Sequence, residues 1–86
     1  MINQIENPVE WATLVYELTD AREHLTNLIR DIESQSDYST ENLSIDLGHV
    51  FAHLNRAWFR HNKTGELSDA QWDDASQFPQ NLIPVG

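Results

Sequence analysis

The sequence predicts an all-α fold: a long antiparallel helical hairpin, followed by a short third helix and an extended C-terminal tail. Three observations support this fold class. Two long segments carry apolar residues at steps of three and four, a short polar connector separates them, and helix-capping residues stand at the expected boundaries. With 86 residues, the chain is expected to form a single domain over residues 1–86.

Helix 1 is predicted over residues 8–34. Asn7 can cap it, Pro8 suits the first helical position, and Glu10 stands where a capping-box carboxylate reaches back. The apolar stripe that follows, widened by Val15 and Ile29, consists of Trp11, Leu14, Leu18, Ala21, Leu25, Leu28 and Ile32. This pattern predicts an amphipathic helix about 40 Å long.

Helix 2 is predicted over residues 40–62 and should fold back on helix 1, because the polar connector between them is short. Ser39 is its expected cap, and Gly65 lies in the turn beyond it. Its core face contains Leu43, Leu47, Val50, Leu54, Ala57, Trp58 and His61. We expect Leu25 of helix 1 and Leu54 of helix 2 to be fully buried between the two helices.

A short third helix is predicted over residues 69–77, because Ser68 and Gln71 form a capping-box pair. Pro79 disfavours helical geometry at Phe78, so the helix should end before it. Residues 78–86 are rich in apolar side chains but have no period, and we interpret them as an extended tail. This segment either docks on the hairpin through Trp72 and Phe78 or stays available for a partner.

Helix 2 has a second apolar stripe, in which Ile45, Ala52 and Phe59 recur at steps of seven beside Gly48. A helix that is apolar on two sides usually packs against neighbours on both sides. We expect a second copy of the chain to cover this stripe, which would produce a dimeric four-helix bundle. The alternative is a monomer in which the C-terminal segment covers the stripe, and both can hold together.

Arg22, inside the apolar arc of helix 1, either lies along apolar surface or pairs across the dimer interface.

A polar stripe beside the core of helix 2 includes Asp46, His49 and His53 at steps of three and four, followed by Arg56 and Arg60. Helix 1 has a matching flank, which contains Glu10, Glu17, His24 and Asp31. In the hairpin His24 should lie level with His49, so Asp46, His49, His53 and His24 have the spacing of metal ligands. However, the stripe lies at the edge and lacks a Glu-x-x-His pair. We therefore predict cross-helix ion pairs and no bound metal, and keep a metal-binding or ligand-binding bundle as the alternative.

Arg56 and His61 have the Arg-x₄-His spacing of HEPN domains, a family of small helical ribonucleases, and the resemblance covers six residues. It implies a ribonuclease site. Positions five apart on a helix diverge by about 140°, however, and His61 points towards the core stripe. We interpret His61 as a partly buried histidine near a helix C-terminus, where a positive charge is favoured.

The composition disfavours or excludes several classes of function. Fourteen acidic and five basic residues give a formal charge of −9, which disfavours nucleic-acid binding. The absence of cysteine excludes disulfides, Cys-ligated zinc and thiol nucleophiles, and it suits a reducing compartment. The sequence shows neither a signal peptide nor the run of about 20 apolar residues that a membrane span requires. We therefore expect a cytoplasmic protein without membrane contact.

The predicted function is a non-enzymatic protein–protein interaction or regulatory module that needs no cofactor and forms a homodimer. No serine-histidine-aspartate set, glycine-rich phosphate loop or zinc-knuckle spacing is visible in the sequence. Three tryptophans and the apolar tail offer anchors of the kind that protein interfaces favour. A basic protein is one kind of partner that this acidic chain would suit.

Overall fold

Three α-helices make up the regular structure of the chain, and the computed structural model describes all residues, 1–86. The helices are α1 (Pro8–Ser34), α2 (Thr40–Arg60) and α3 (Asp69–Ala75). α1 and α2 pack together as a hairpin, and α3 packs against α2 and not against α1. The predicted all-α hairpin with a short third helix is confirmed, although α2 and α3 each end two residues earlier than predicted. None of the three helices has both the length and the apolar character needed to cross a membrane.

Serine capping boxes start the second and third helices. The Ser39 hydroxyl accepts a hydrogen bond from the Asn42 N–H at 3.2 Å, and the Asn42 side chain accepts one from the Ser39 N–H at 3.1 Å. Ser68 and Gln71 exchange the same two bonds at 3.2 and 3.0 Å. Each box satisfies two backbone donors at a helix start, which is why the sequence locates these boundaries well.

The start of α1 differs from the prediction. Pro8 occupies the first helical turn, but the Asn7 side chain does not cap the helix. It accepts instead from the Asn3 N–H at 3.3 Å, within a turn that precedes α1. This turn brings Ile2 against the far end of the hairpin, where its N–H donates to the His61 carbonyl at 2.7 Å. Ile2 is buried beside Leu14, and the N-terminal segment thereby extends the core.

The core of the hairpin is narrow. Its apolar members recur at steps of seven along each helix, because one line of side chains on each helix faces the other. The buried apolar residues of the whole chain are Ile2, Leu14, Ala21, Leu28, Val50, Ala57 and Ala75. Leu25 and Leu54, expected to be fully buried, are 42% and 40% exposed. They lie beside the buried line of their helices and do not belong to it, so they remain partly exposed.

Candidate functional site

A buried ion pair joins the two long helices on one side of the hairpin. Arg56 of α2 is 8% exposed, and its Nε donates to Oε2 of Glu17 of α1 at 2.6 Å. Its Nη1 donates to the Ser76 hydroxyl at 3.1 Å, and the guanidinium carbon lies 4.6 Å from the centroid of the Trp72 ring. Arg56 therefore links α1, α2 and the end of α3. The polar stripe of the sequence does contain the expected cross-helix ion pair.

Three of the four histidines lie beside this pair, and we call Glu17, His24, His49, His53 and Arg56 the polar cluster. The His24 ring stacks on His53 at 5.0 Å between centroids and lies 5.1 Å from His49. Nδ1 of His53 is 3.3 Å from Oε1 of Glu17 and 3.1 Å from Nη2 of Arg56. The structure thus brings together His24, His49 and His53, the three histidines that the sequence predicts as neighbours.

Asp46, the fourth residue of the predicted metal set, has a different partner. It accepts a hydrogen bond from the Tyr38 hydroxyl at 2.7 Å, near the connector between the helices. Desolvation, the hydrogen bond to Asp46 and the negative charges of Asp46 and Asp31 raise the pKa of Tyr38 to about 12. This contact links the end of the connector to α2.

A different set of side chains has the geometry of a cation site. One ligand atom each from Glu17, Asp20 and His53 lies within 4.8 Å of the others. Carboxylate oxygens and an imidazole nitrogen are common ligands of divalent transition metals. Glu17 is also the partner of the Arg56 guanidinium, however. A cation at this position would meet a fixed positive charge, which weakens the site.

Arg56 and His61, whose spacing resembles that of HEPN domains, have different surroundings. Arg56 belongs to the polar cluster. His61 stacks on the Trp58 ring with 4.1 Å between centroids, and its Nδ1 donates to the Trp58 carbonyl. The two side chains have no partner in common among these contacts.

The C-terminal segment lies against the side of α2 that faces away from α1. Trp72 covers Arg56, and the Phe78 ring packs on Phe51 with 5.2 Å between centroids. Further along, the Trp58 Nε1–H donates to Asn81 Oδ1 at 2.9 Å. Beyond Asn81 the tail extends without regular structure.

The predicted interface residues of α2 lie partly under this segment. Gly48 and Ala52 line a shallow groove together with Phe78. Phe59 is half-buried, with the Lys63 ammonium 5.2 Å from its ring centroid, whereas Ile45 is 63% exposed. The chain's own C-terminal segment therefore reaches the middle of this stripe and leaves its start open.

A longer apolar surface runs along α1. Its members are between 42% and 47% exposed: Val15, Leu18, Leu25, Ile29 and Ile32. With Arg22 in the middle, these positions follow steps of three, four, three, four and three, and we call the set the α1 stripe. Since α1 has α2 as its only helical neighbour, no helix of the chain other than α2 packs beside this surface.

The exposed area of the chain is large for its mass. The accessible surface is 6493 Å². A folded monomer of 9.9 kDa exposes about 5,200 Å². The difference, about 1,300 Å², is area that a folded chain of this size normally removes from water. The chain therefore exposes more surface than a compact folded monomer of the same mass.

The polar cluster and the α1 stripe lie on opposite sides of the hairpin. On α1, Glu17 and His24 of the cluster lie on one side of the buried line, and the α1 stripe lies on the other side. The polar cluster contains a buried ion pair, and the α1 stripe is a partly exposed apolar surface. Comparison with protein-family models, curated proteins and solved structures finds no match for the chain, so its function is inferred from these two surfaces.

Proposed function

We propose that the chain is a non-enzymatic protein–protein interaction module that acts as a homodimer. The observation that carries this proposal is the excess of about 1,300 Å² of exposed surface over a folded monomer of the same mass. A standard protein interface buries about 800 Å² on each partner. The excess is larger than this area, which supports an interface between two copies.

The small core supports the same proposal. Nine of 86 residues are buried, and no large side chain is less than 2% exposed. Seventeen large apolar side chains are exposed, several of them contiguous on α1. Contiguous apolar surface of this kind marks interaction sites in folded proteins. A second copy would turn the two-layer hairpin into a four-helix bundle with a closed core.

A further partner protein is proposed for the end of the tail. Ile83 and Val85 are 80% and 94% exposed and follow Asn81, which accepts the hydrogen bond from Trp58 of α2. An extended apolar peptide of this kind can enter a groove on another protein. The formal charge of −9 favours a partner with a basic surface, because opposite charge accelerates association.

Sedimentation equilibrium tests the homodimer. We expect a mass of about twice the 9.9 kDa of the chain at micromolar protomer concentration. A mass of one chain up to about 100 μM would contradict the proposal, since the dissociation constant would then be weaker than that of a functional homodimer.

Affinity capture with the full chain and with a variant that ends at Asn81 tests the tail. A partner retained only by the full chain would support its role.

Metal binding is a second candidate, favoured by the convergence of Glu17, Asp20 and His53. We place it second because Arg56 already supplies the positive charge next to Glu17. Zinc titration by calorimetry distinguishes the two candidates. Uptake of one ion per chain that is lost in His53→Ala and retained in His61→Ala would support a metal site. The interaction module alone predicts no such stoichiometric uptake.

A further inference from the structure

We infer that two copies associate through α1, with their α1 stripes packed antiparallel across a two-fold axis between residues 23 and 24. This inference rests on the proposed homodimer and specifies its surface and geometry. The occupant of the α1 stripe is therefore a second copy of the same chain.

Helix packing within the chain favours α1 over α2 as the interface helix. α2 is the middle element, with α1 on one side and α3 on the other. The C-terminal segment also covers part of α2, because the Phe78 ring packs on the Phe51 ring. Among the helices α1 contacts only α2, and α2 leaves part of the apolar face of α1 exposed. The larger unpartnered surface consequently belongs to α1.

The spacing of the α1 stripe is that of a helix–helix seam. Apolar side chains at alternating steps of three and four line up along one face of a helix and interlock with the same pattern on another helix. The stripe runs from residue 15 to residue 32, which is about 26 Å of helix. A seam of this length is long enough for the contact expected between two helices of a four-helix bundle.

Arg22 decides between parallel and antiparallel pairing. In a parallel seam the equivalent positions of the two copies face each other, so two buried guanidinium groups would meet. In the antiparallel pairing Arg22 lies opposite Leu25 of the second copy, and its stem can pack on that side chain. The remaining pairs are then Val15 with Ile32 and Leu18 with Ile29, which are all apolar. A two-fold axis produces this pairing twice.

The charge of α1 makes a separate contribution to the association. Residues 8–34 carry six acidic and two basic side chains, so the paired helices repel each other at long range. Salt screens repulsion between exposed charges and leaves apolar contacts in place. The dimer should therefore become tighter as the salt concentration rises.

The first experiment compares charged substitutions on the two candidate faces. Leu25→Glu lies at the centre of the α1 stripe and should raise the dimer dissociation constant at least about 30-fold. The second apolar stripe of α2, formed by Ile45, Ala52 and Phe59 beside Gly48, is called the α2 stripe. Ile45→Glu, at its exposed start, is the matched control and should leave the constant within about threefold of wild type. Circular dichroism checks that both variants keep the helices. The opposite ranking of these two variants would refute the α1 interface and favour the α2 stripe.

The second experiment uses cysteine cross-linking and does not depend on a destabilising charge. The chain has no cysteine, so single substitutions introduce the only thiols. A mixture of Val15→Cys and Ile32→Cys chains should form a covalent mixed dimer with a short thiol-specific cross-linker. Val15→Cys alone should not, because the two Val15 positions lie about 26 Å apart along the antiparallel seam. Cross-linking of Val15→Cys alone, or none in the mixture, would refute the proposed geometry.

These outcomes separate the inference from the proposed function. A wild-type chain that sediments as a monomer overturns the homodimer itself. A wild-type dimer that survives Leu25→Glu, fails to cross-link in the mixture and dissociates on Ile45→Glu overturns only the α1 geometry.

Discussion

Replacing Glu17 with glutamine tests whether the buried ion pair holds the three helices together. Arg56 is 8% exposed, and its Nε lies 2.6 Å from the Glu17 carboxylate. In Glu17→Gln the guanidinium stays between α1 and α3 but loses its counter-charge. Removing one partner of a buried pair costs about 3–5 kcal/mol. Because the Glu17 side chain keeps 12% exposure, we expect a loss near the lower end, about 3 kcal/mol.

Urea unfolding followed by circular dichroism measures this loss. All variants are compared at one protomer concentration, because association adds to the apparent stability. The matched control is Asp31→Asn, which also converts a carboxylate to an amide but removes an exposed contact with Arg30 at 3.4 Å. That substitution should cost less than about 1 kcal/mol. If Glu17→Gln costs no more than Asp31→Asn, the polar cluster does not hold the helices together.

Four further predictions concern the core, the hairpin turn, the N-terminal segment and the dimer. Leu28→Ala should cost about 2–5 kcal/mol in urea unfolding, because Leu28 is 7% exposed at the hairpin contact. Desolvation, then the hydrogen bond and charge of Asp46, raise the pKa of Tyr38 to about 12, so Asp46→Asn should lower its midpoint in ultraviolet titration. Because the folded pKa is raised, the stability from Tyr38 is present below about pH 10 and is lost as the pH rises towards 12. Ile2→Ala should cost about 2–4 kcal/mol in urea unfolding, since Ile2 is 6% exposed against the core. Arg22→Leu should tighten the dimer in sedimentation, because it removes the one polar side chain from the seam. Losses below about 1 kcal/mol in both Leu28→Ala and Ile2→Ala would contradict the predictions for the core. An unchanged Tyr38 midpoint in Asp46→Asn would contradict the prediction for the hairpin turn, and a weaker dimer in Arg22→Leu would contradict the prediction for the seam.

The helices could be predicted from sequence because their signals are local. Ser39 and Ser68 start α2 and α3 through bonds that span three residues, so neighbouring side chains suffice to locate them. The depth of burial could not be predicted in the same way. Leu25 and Leu54 belong to the periodic stripes, but their exposure depends on which line of each helix faces the other. Periodicity identifies an apolar face and leaves its angle to the neighbouring helix undetermined.

The candidate site could likewise be predicted only where its contacts follow from local spacing. The proximity of His24, His49 and His53 follows from helical spacing and from the register of a hairpin with a short connector. The contacts of Arg56 with Ser76 and Trp72 depend on how α3 returns to α2, and no local pattern encodes that path. The buried Ile2 was missed for a similar reason, because a short segment before the first helix has no period to read.

The paired sedimentation of wild-type chain and Leu25→Glu tests the central claim, association through the α1 stripe, most directly. Measured at the same micromolar concentration, the wild-type chain should have a mass of about twice 9.9 kDa, and Leu25→Glu should have the mass of one chain with its helices intact. Equal masses for the two proteins, whether both monomeric or both dimeric, would contradict the claim.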